Sequence, residues 1–134
     1  MNKNQSINIK DFRNLKVWQK AIELSDSIYE ISNDFPKFEQ YAIKSQIIRS
    51  CTSISANIAE GNSQFSLKRE LNHINIAIGS VMETRNWLII ASRRKYITQE
   101  QFNEIDAKIE EIAKMLYGYR KKLLIYLENE SEDE

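Results

Sequence analysis

The side chains in this sequence that can do chemistry lack the partners that catalysis or metal binding requires. His73 is the sole histidine, and no cysteine or second histidine stands at ligand spacing from it, so the imidazole and thiolate sets that hold zinc are not assembled. Cys51 is the sole cysteine. It cannot form an internal disulfide, and its place in a stripe of isoleucines reads as a small buried hydrophobe rather than a reactive thiol. Glu60, near Asn57, and Glu83 are the carboxylates positioned to serve as an acid or base, and helix packing or surface solvation accounts for each. The chain carries neither a phosphate-cradling glycine loop nor a nucleophile elbow. No catalytic residue, cofactor or metal is expected, and the protein is expected not to be an enzyme.

Charge is the chemistry that remains. The 134 residues include 19 basic and 19 acidic side chains, a formal net charge of zero. The acids are unevenly placed, because Glu128, Glu130, Glu132, Asp133 and Glu134 crowd the end. Residues 1–127 therefore hold 19 cations against 14 acids, a net +5. A mildly basic body with an acidic tail is compatible with polyanion binding without demanding it.

The elements that must position these charges are helical. With one proline and three glycines, the chain has too few breakers for a sandwich or barrel. At 42% hydrophobic and 28% charged, it has the composition of one soluble globular domain. Residues 1–14 read as a flexible N-terminal arm, 15–127 as a four-helix bundle and 128–134 as a disordered acidic tail. Val17, Ala21, Leu24, Ile28, Ile31 and Phe35 alternate spacings of four and three, predicting a first helix from about Leu15 to the Asn33-Asp34-Phe35-Pro36 stop. Ile43, Ile47, Cys51, Ile54 and Ile58 predict a second helix from Phe38 or Glu39 to Glu60, closed by Gly61. Beside that stripe runs a polar one, Ser45, Arg49, Ser53, Asn57 and Glu60, so one helix serves two neighbours. Its Ser50–Ser55 segment is poor in helix formers and must be held by tight packing.

A third helix starts at a Ser66 cap, with Glu70 favouring its positive end. Its seam of Leu71, Ile74, Ile78, Val81 and Leu88 is interrupted by Arg85, whose guanidinium is expected to snorkel to water rather than pair with a carboxylate. Gly79 predicts a close approach by a neighbouring helix. Thr98 and Gln101 form a reciprocal capping pair for the fourth helix, with Ile97 and Phe102 at staple positions. Phe102, Ile105, Ile109, Ile112, Leu116, Tyr119, Leu123 and Tyr126 then keep an unbroken three-four seam. Residues 1–10 lack the apolar core of a signal peptide, and the longest apolar run, Trp87–Ala91, is too short for a bilayer. The sequence thus predicts a cytoplasmic location and no membrane contact.

The segment Ser53-Ile54-Ser55-Ala56-Asn57-Ile58-Ala59-Glu60-Gly61 resembles the signature of four-helix bundle proteins encoded in 23S rRNA intervening sequences. Phe12–Ala21, the Ser45–Ser50 run and Asn75–Glu83 are similar to the same family in the same order, over about Asp11 to Leu123. The resemblance implies a ring-shaped homopentamer without catalytic residues. It also implies a relation to the accessory variability determinant of diversity-generating retroelements, which binds nucleic acid and a reverse transcriptase. The family tends to carry an acid where this chain has Arg85.

An all-α, up-down-up-down antiparallel bundle brings Arg13, Lys16, Lys68, Arg69, Arg120, Lys121 and Lys122 to one end. The negative pole of helix four explains the last three, but helix polarity disfavours Lys68 and Arg69 at a helix start. These seven are the candidate nucleic-acid-binding residues. Arg93-Arg94-Lys95, at the opposite end, suits the negative pole of helix three and ranks second. Helices three and four, at roughly 45 Å each against about 33 Å for helix two, are expected to overhang at that second end. Leu88, Ile89, Ile90, Phe102 and Ile105 would then form the oligomer interface. The function expected is a non-enzymatic scaffold binding RNA or another nucleic acid, with the acidic tail competing for its cations. The alternative is an adaptor for another protein, such as a reverse transcriptase or a toxin-like neighbour. A nuclease acting on rRNA has no residues to carry it.

Overall fold

A computed structural model of the chain describes residues 10–132, which form α1 (Lys16–Ser32), α2 (Ile43–Asn62), α3 (Leu67–Arg93) and α4 (Gln99–Glu132). Short 3-10 turns at Phe12–Asn14 and Lys37–Glu39 precede α1 and α2. Each helix packs on its two neighbours around a square, α1 on α2 and α4, α3 on α2 and α4. Cross-helix pairs give the directions. Ser50 meets Thr84, Ser53 meets Ser80 and Asn57 meets His73, so α2 and α3 are antiparallel. Arg85 meets Asp106 and Tyr119 meets Glu70, so α3 and α4 are too. Lys20 faces Glu111 of α4, while Lys16 lies near Gly118, which fixes α1.

The core is the set of isoleucines and leucines that the periodicity picks out. Val17, Ala21, Leu24, Ile28, Ile31 and Phe35 are buried, as are Ile43, Ile47, Cys51, Ile54 and Ile58. In α4 the seam from Ile105 to Leu123 is buried apart from half-buried Tyr119, and Tyr126 departs from the pattern by standing half exposed. Burial pushes the Cys51 thiol up to about 11, in keeping with an inert core side chain.

The polar stripe of α2 turns inward in its second half and becomes the seam with α3. The Ser50 and Thr84 hydroxyls share a hydrogen bond at 2.8 Å, and each also faces a carbonyl of its own helix, Ile47 at 3.2 Å and Ser80 at 2.8 Å. Ser80 donates to Ser53 at 2.9 Å. The Asn57 amide nitrogen donates to the Ser53 carbonyl at 2.9 Å, which orients its oxygen toward His73 Nδ1 at 3.0 Å and selects the Nδ1-protonated tautomer. Among the described residues, no buried side-chain N or O atom lacks a partner. Poor helix propensity in Ser50–Ser55 is thus offset by hydrogen bonds that a more hydrophobic sequence could not make. Arg49 and Ser45, one and two turns before Ser53, face solvent instead.

Glycine roles differ from expectation. α2 continues through Gly61 to Asn62. A Cβ at Gly61 would sit 2.9 Å from His73 Cβ and 3.4 Å from the Glu70 carbonyl, so this glycine admits the backbone of α3 rather than ending α2. A Cβ at Gly79 would meet nothing within 4 Å, so the close approach predicted there is absent.

Ser66 caps α3 by accepting from Arg69 N at 3.3 Å. Thr98 and Gln101 exchange the reciprocal capping bonds of α4 at 3.0 and 2.8 Å. Between these helices, Tyr96 N donates to the Ala91 carbonyl and Lys95 N to that of Ser92, the paired bonds of a Schellman turn. Lys95 occupies its left-handed position, with φ of 63°. A side chain there costs about 1 kcal/mol. Lys95→Gly is therefore expected to raise stability by up to about 1 kcal/mol, measurable as an increased urea midpoint at unchanged slope.

Arg85 does not snorkel. It donates to Asp106 at 2.8 and 3.1 Å and to Glu110 at 3.0 Å, bridging α3 to the facing turn of α4. The hydrogen bond to Asp106, with Glu110 beside it, holds the guanidinium well above its ordinary range. Two carboxylates one turn apart on α4 made the ion pair available, and only the interhelical register brings them to Arg85.

Candidate nucleic-acid interface

The first turn of α3, the start of α1 and the last third of α4 meet at one pole, where the predicted cations gather. Lys16, Lys68, Arg69, Lys121 and Lys122 stand there at least partly open to solvent, and among the described residues none has a carboxylate within 4 Å. The other two predicted residues are engaged. Arg13 lies in the turn before α1 and forms a fork with Asp11 at 2.7 to 3.2 Å, which lowers the carboxyl and raises the guanidinium pKa. Arg120 reaches Asn75 at 3.3 Å and lies 5.1 Å from the Tyr117 ring centroid. Its charge remains uncompensated, but its direction is set by the ring.

Residues 11–14 therefore do not behave as the flexible arm expected. Asp11 caps the turn through Arg13 N, and Phe12 packs edge-on against Trp18 at 5.1 Å. Residues 1–9 of that arm lie outside the described residues.

Beneath the cations the pole is closed by a polar plug that the sequence reading missed. Glu70, expected to favour the positive end of α3, is only 5% exposed. It accepts from the Tyr119 hydroxyl at 2.5 Å and lies 3.7 Å from Lys10 Nζ. Desolvation, reinforced by the bond to the Glu70 carboxylate, pushes the Tyr119 phenol well up. A phenol that ionises later in the folded than in the unfolded chain stabilises the fold below the unfolded value, near 10. Its contribution declines above that pH, because the unfolded chain releases the proton first. Stability is expected to fall above pH 10, and Tyr119→Phe to flatten that decline, as measured by urea unfolding between pH 8 and 11.

Between α1 and α4 the same pole carries a groove of about 310 Å³ lined by Leu15, Lys16, Val17, Met115, Gly118, Tyr119 and Lys122. Its floor is mainly apolar, with a lysine from each helix at its edge.

The acidic tail and the oligomer interface need correction. α4 continues to Glu132, so residues 128–132 are helical and not a disordered tail. Glu70, in the first turn of α3, already meets Tyr119, so α4 beyond buried Leu123 projects past the other helices. The overhang thus falls at the cationic pole. The opposite pole is sealed by the α1–α2 connector, where Tyr96 donates to Glu39 at 2.7 Å and packs at a 45° tilt against Phe35, ring centroids 5.6 Å apart. That connector is also why α2 starts at Ile43 rather than at Phe38 or Glu39. Consequently Leu88 and Ile105 are buried within the chain, and Ile90 and Phe102 half buried. Of the five predicted interface residues only Ile89, 43% exposed, stands open. Leu124, Ile125 and Tyr126 are each about half exposed on the overhang; Tyr126 was missed because its seam continues the core pattern, and Leu124 and Ile125 lie off that seam.

From Leu123 to Glu132 the helix extends about 14 Å, carrying Glu128 and Glu130 outward rather than back over the cations. Removing residues 128–134 is therefore expected to change polyanion affinity less than twofold at 0.15 M salt, where charges about 8 Å apart are already screened. Titration of the truncated chain checks this.

At the opposite pole, Arg93, Arg94 and Lys95 are exposed beside Phe38 and Tyr41. With Lys37 and Lys44 these make five cations, and Glu30, Asp34, Glu39, Glu100 and Glu104 share that end, so it lacks the cation excess of the first pole. Glu60 is exposed, and Glu83 accepts from Trp87 Nε1 at 3.0 Å on its own helix, a surface group. Among the described residues no three His, Cys, Asp or Glu side chains form a metal cluster, and no helix is long and apolar enough to cross a membrane.

These features define an all-α protein of four antiparallel helices with a basic pole. The family described as 23S rRNA-intervening sequence protein matches residues 13–118. The chain belongs to that family. Its fold is shared with a crystal structure, at 1.70 Å resolution, of a protein of unknown function from the S23 ribosomal protein family of Bacteroides thetaiotaomicron. The two are 34% identical, with a TM-score of 0.73, over 78% of this chain and 98% of that one. No curated protein matches the sequence significantly.

Proposed function

We propose that the chain is a non-enzymatic, ring-shaped homopentameric bundle that binds RNA or another nucleic acid through its basic pole. The observation that carries this reading is the gathering of Lys16, Lys68, Arg69, Lys121 and Lys122 at one end, without carboxylate partners among the described residues. Lys68 and Arg69 sit at the positive end of α3, where a cation costs free energy and a phosphate recovers it. Repetition of a modest site around a ring supplies avidity without stronger individual contacts. Contacts of this kind position a backbone and read little sequence.

Self-association is supported by the apolar side chains that the fold leaves open. Met82 and Ile89 lie seven residues apart on the outer side of α3, and Leu124, Ile125 and Tyr126 stand on the overhang. That overhang also favours a second reading, an adaptor whose apolar surface docks another protein such as a reverse transcriptase.

Fluorescence-anisotropy titration against a structured rRNA fragment and a random single strand, at two salt concentrations, separates the readings. Nucleic-acid binding weakens log-linearly with salt. Absence of binding at low salt would leave the adaptor. A monomeric mass at micromolar concentration would remove the ring.

A further inference from the structure

We infer that Phe65 is a stacking platform for an unpaired base, so that the nucleic acid held at the basic pole is single-stranded where it crosses the α2–α3 connector. This rests on the polyanion reading above and adds to it the class of ligand.

Phe65 is the most exposed large hydrophobic side chain described, at 106% of its reference exposure. It occupies the connector between Asn62 and Leu67, and nothing in the bundle packs on its ring. The backbone on either side of it is hydrogen-bonded to the ends of α2 and α3. Ser63 N and Gln64 N donate to the carbonyls of Glu60 and Gly61, and the Ser63 and Gln64 side chains both donate to the Glu60 carbonyl. On the other side Ser66 is fixed as the cap of α3. Because the backbone on either side of it is held, a ligand that stacks on this ring has to order the side chain alone and not the connector as well.

Its surroundings select the ligand. Lys68 and Arg69 follow within one helical turn, and both are exposed. A ring followed by cations that have no carboxylate partner among the described residues is the combination that single-strand binders use, the cations tracking phosphates while the ring takes a base face of any sequence. Bases inside a duplex are already stacked on both faces and offer none to such a ring. Phe38 and Tyr41 at the opposite pole are also exposed, but the acids sharing that end leave no net positive field to bring a phosphate backbone to them.

The test uses the full chain and two probes, a 12-nucleotide single-stranded RNA and a blunt RNA duplex of the same length, titrated by anisotropy with wild type, Phe65→Ala and Phe65→Trp. Loss of one base stack corresponds to about 5- to 150-fold in affinity. Phe65→Ala is expected to weaken single-strand binding within that range, leaving duplex affinity, salt slope and oligomer mass as in wild type. Phe65→Trp is expected to restore single-strand binding. Equal binding of the single strand by wild type and Phe65→Ala overturns the proposal while leaving the polyanion reading standing. A change in oligomer mass in Phe65→Ala also overturns it, assigning the ring to a contact between copies. If wild type binds neither probe at low salt, the polyanion reading fails and the stacking role with it.

Discussion

Exchanging Lys68, Arg69, Lys121 and Lys122 for glutamine is expected to reduce the dependence of log affinity on log salt by about 3, since each phosphate that the protein ceases to neutralise removes roughly 0.7 to 0.9 from the slope. Between 50 and 200 mM salt, wild type should then lose about 60-fold more affinity than the variant. The four residues make no ion pair among the described residues, so their removal leaves the fold's own charge network intact. Arg120 and Arg13 are left in place because their guanidinium groups also serve Asn75, Tyr117 and Asp11, and their replacement would mix structural with electrostatic effects. A matched exchange of Arg93, Arg94 and Lys95 should leave the slope near wild type. Equal effects from the two poles would show that the polyanion responds to overall charge and not to the site described.

The same substitution at two glycines should have opposite signs. Gly61→Ala places a methyl group 2.9 Å from His73 Cβ, an atom fixed to the α3 backbone that cannot rotate away. The seam must open, which costs about 1 to 3 kcal/mol in overpacked cores, and the Asn57 to His73 bond lies close to the point of strain. Gly79→Ala meets no atom within 4 Å and replaces a poor helix former inside α3, a gain of up to about 1 kcal/mol. Thermal unfolding reads both. For a domain of this size each kcal/mol moves the midpoint by roughly 3 to 6 °C, so the two variants should lie on either side of wild type by a clear margin. A stabilised Gly61→Ala would show that α3 does not approach α2 as closely as described.

The contrast between these glycines marks the boundary of what sequence can say. The sequence reads Gly61 as a helix stop and Gly79 as a point of close approach, and the structure gives the close approach to Gly61. Distinguishing them requires knowing which one lies under the neighbouring backbone, a matter of helix rotation and crossing. Arg85 is a similar case. Its place in the α3 seam was legible, but its partners Asp106 and Glu110 lie 21 and 25 residues away and come within reach only through the α3–α4 register. Glu70 was read as favouring the positive end of α3, and the structure encloses it with Tyr119. Phe65 carries no periodic signal and drew no attention in the sequence.

By itself the sequence determined the class of fold, the four helices, their buried faces and the caps at Ser66 and Thr98. Each depends on residues within a few positions of one another, where the helical period and local hydrogen bonding operate. It also placed the cations at one pole, because antiparallel helices joined by short connectors allow only one assignment of their ends. The tertiary structure alone decided which end overhangs, and so which apolar residues stay open. Leu88 and Tyr126 occupy equivalent seam positions, yet one is buried and the other half exposed. The reason is that burial depends on what lies alongside: a neighbouring helix covers Leu88, while at Tyr126 the helices that would cover it have already ended.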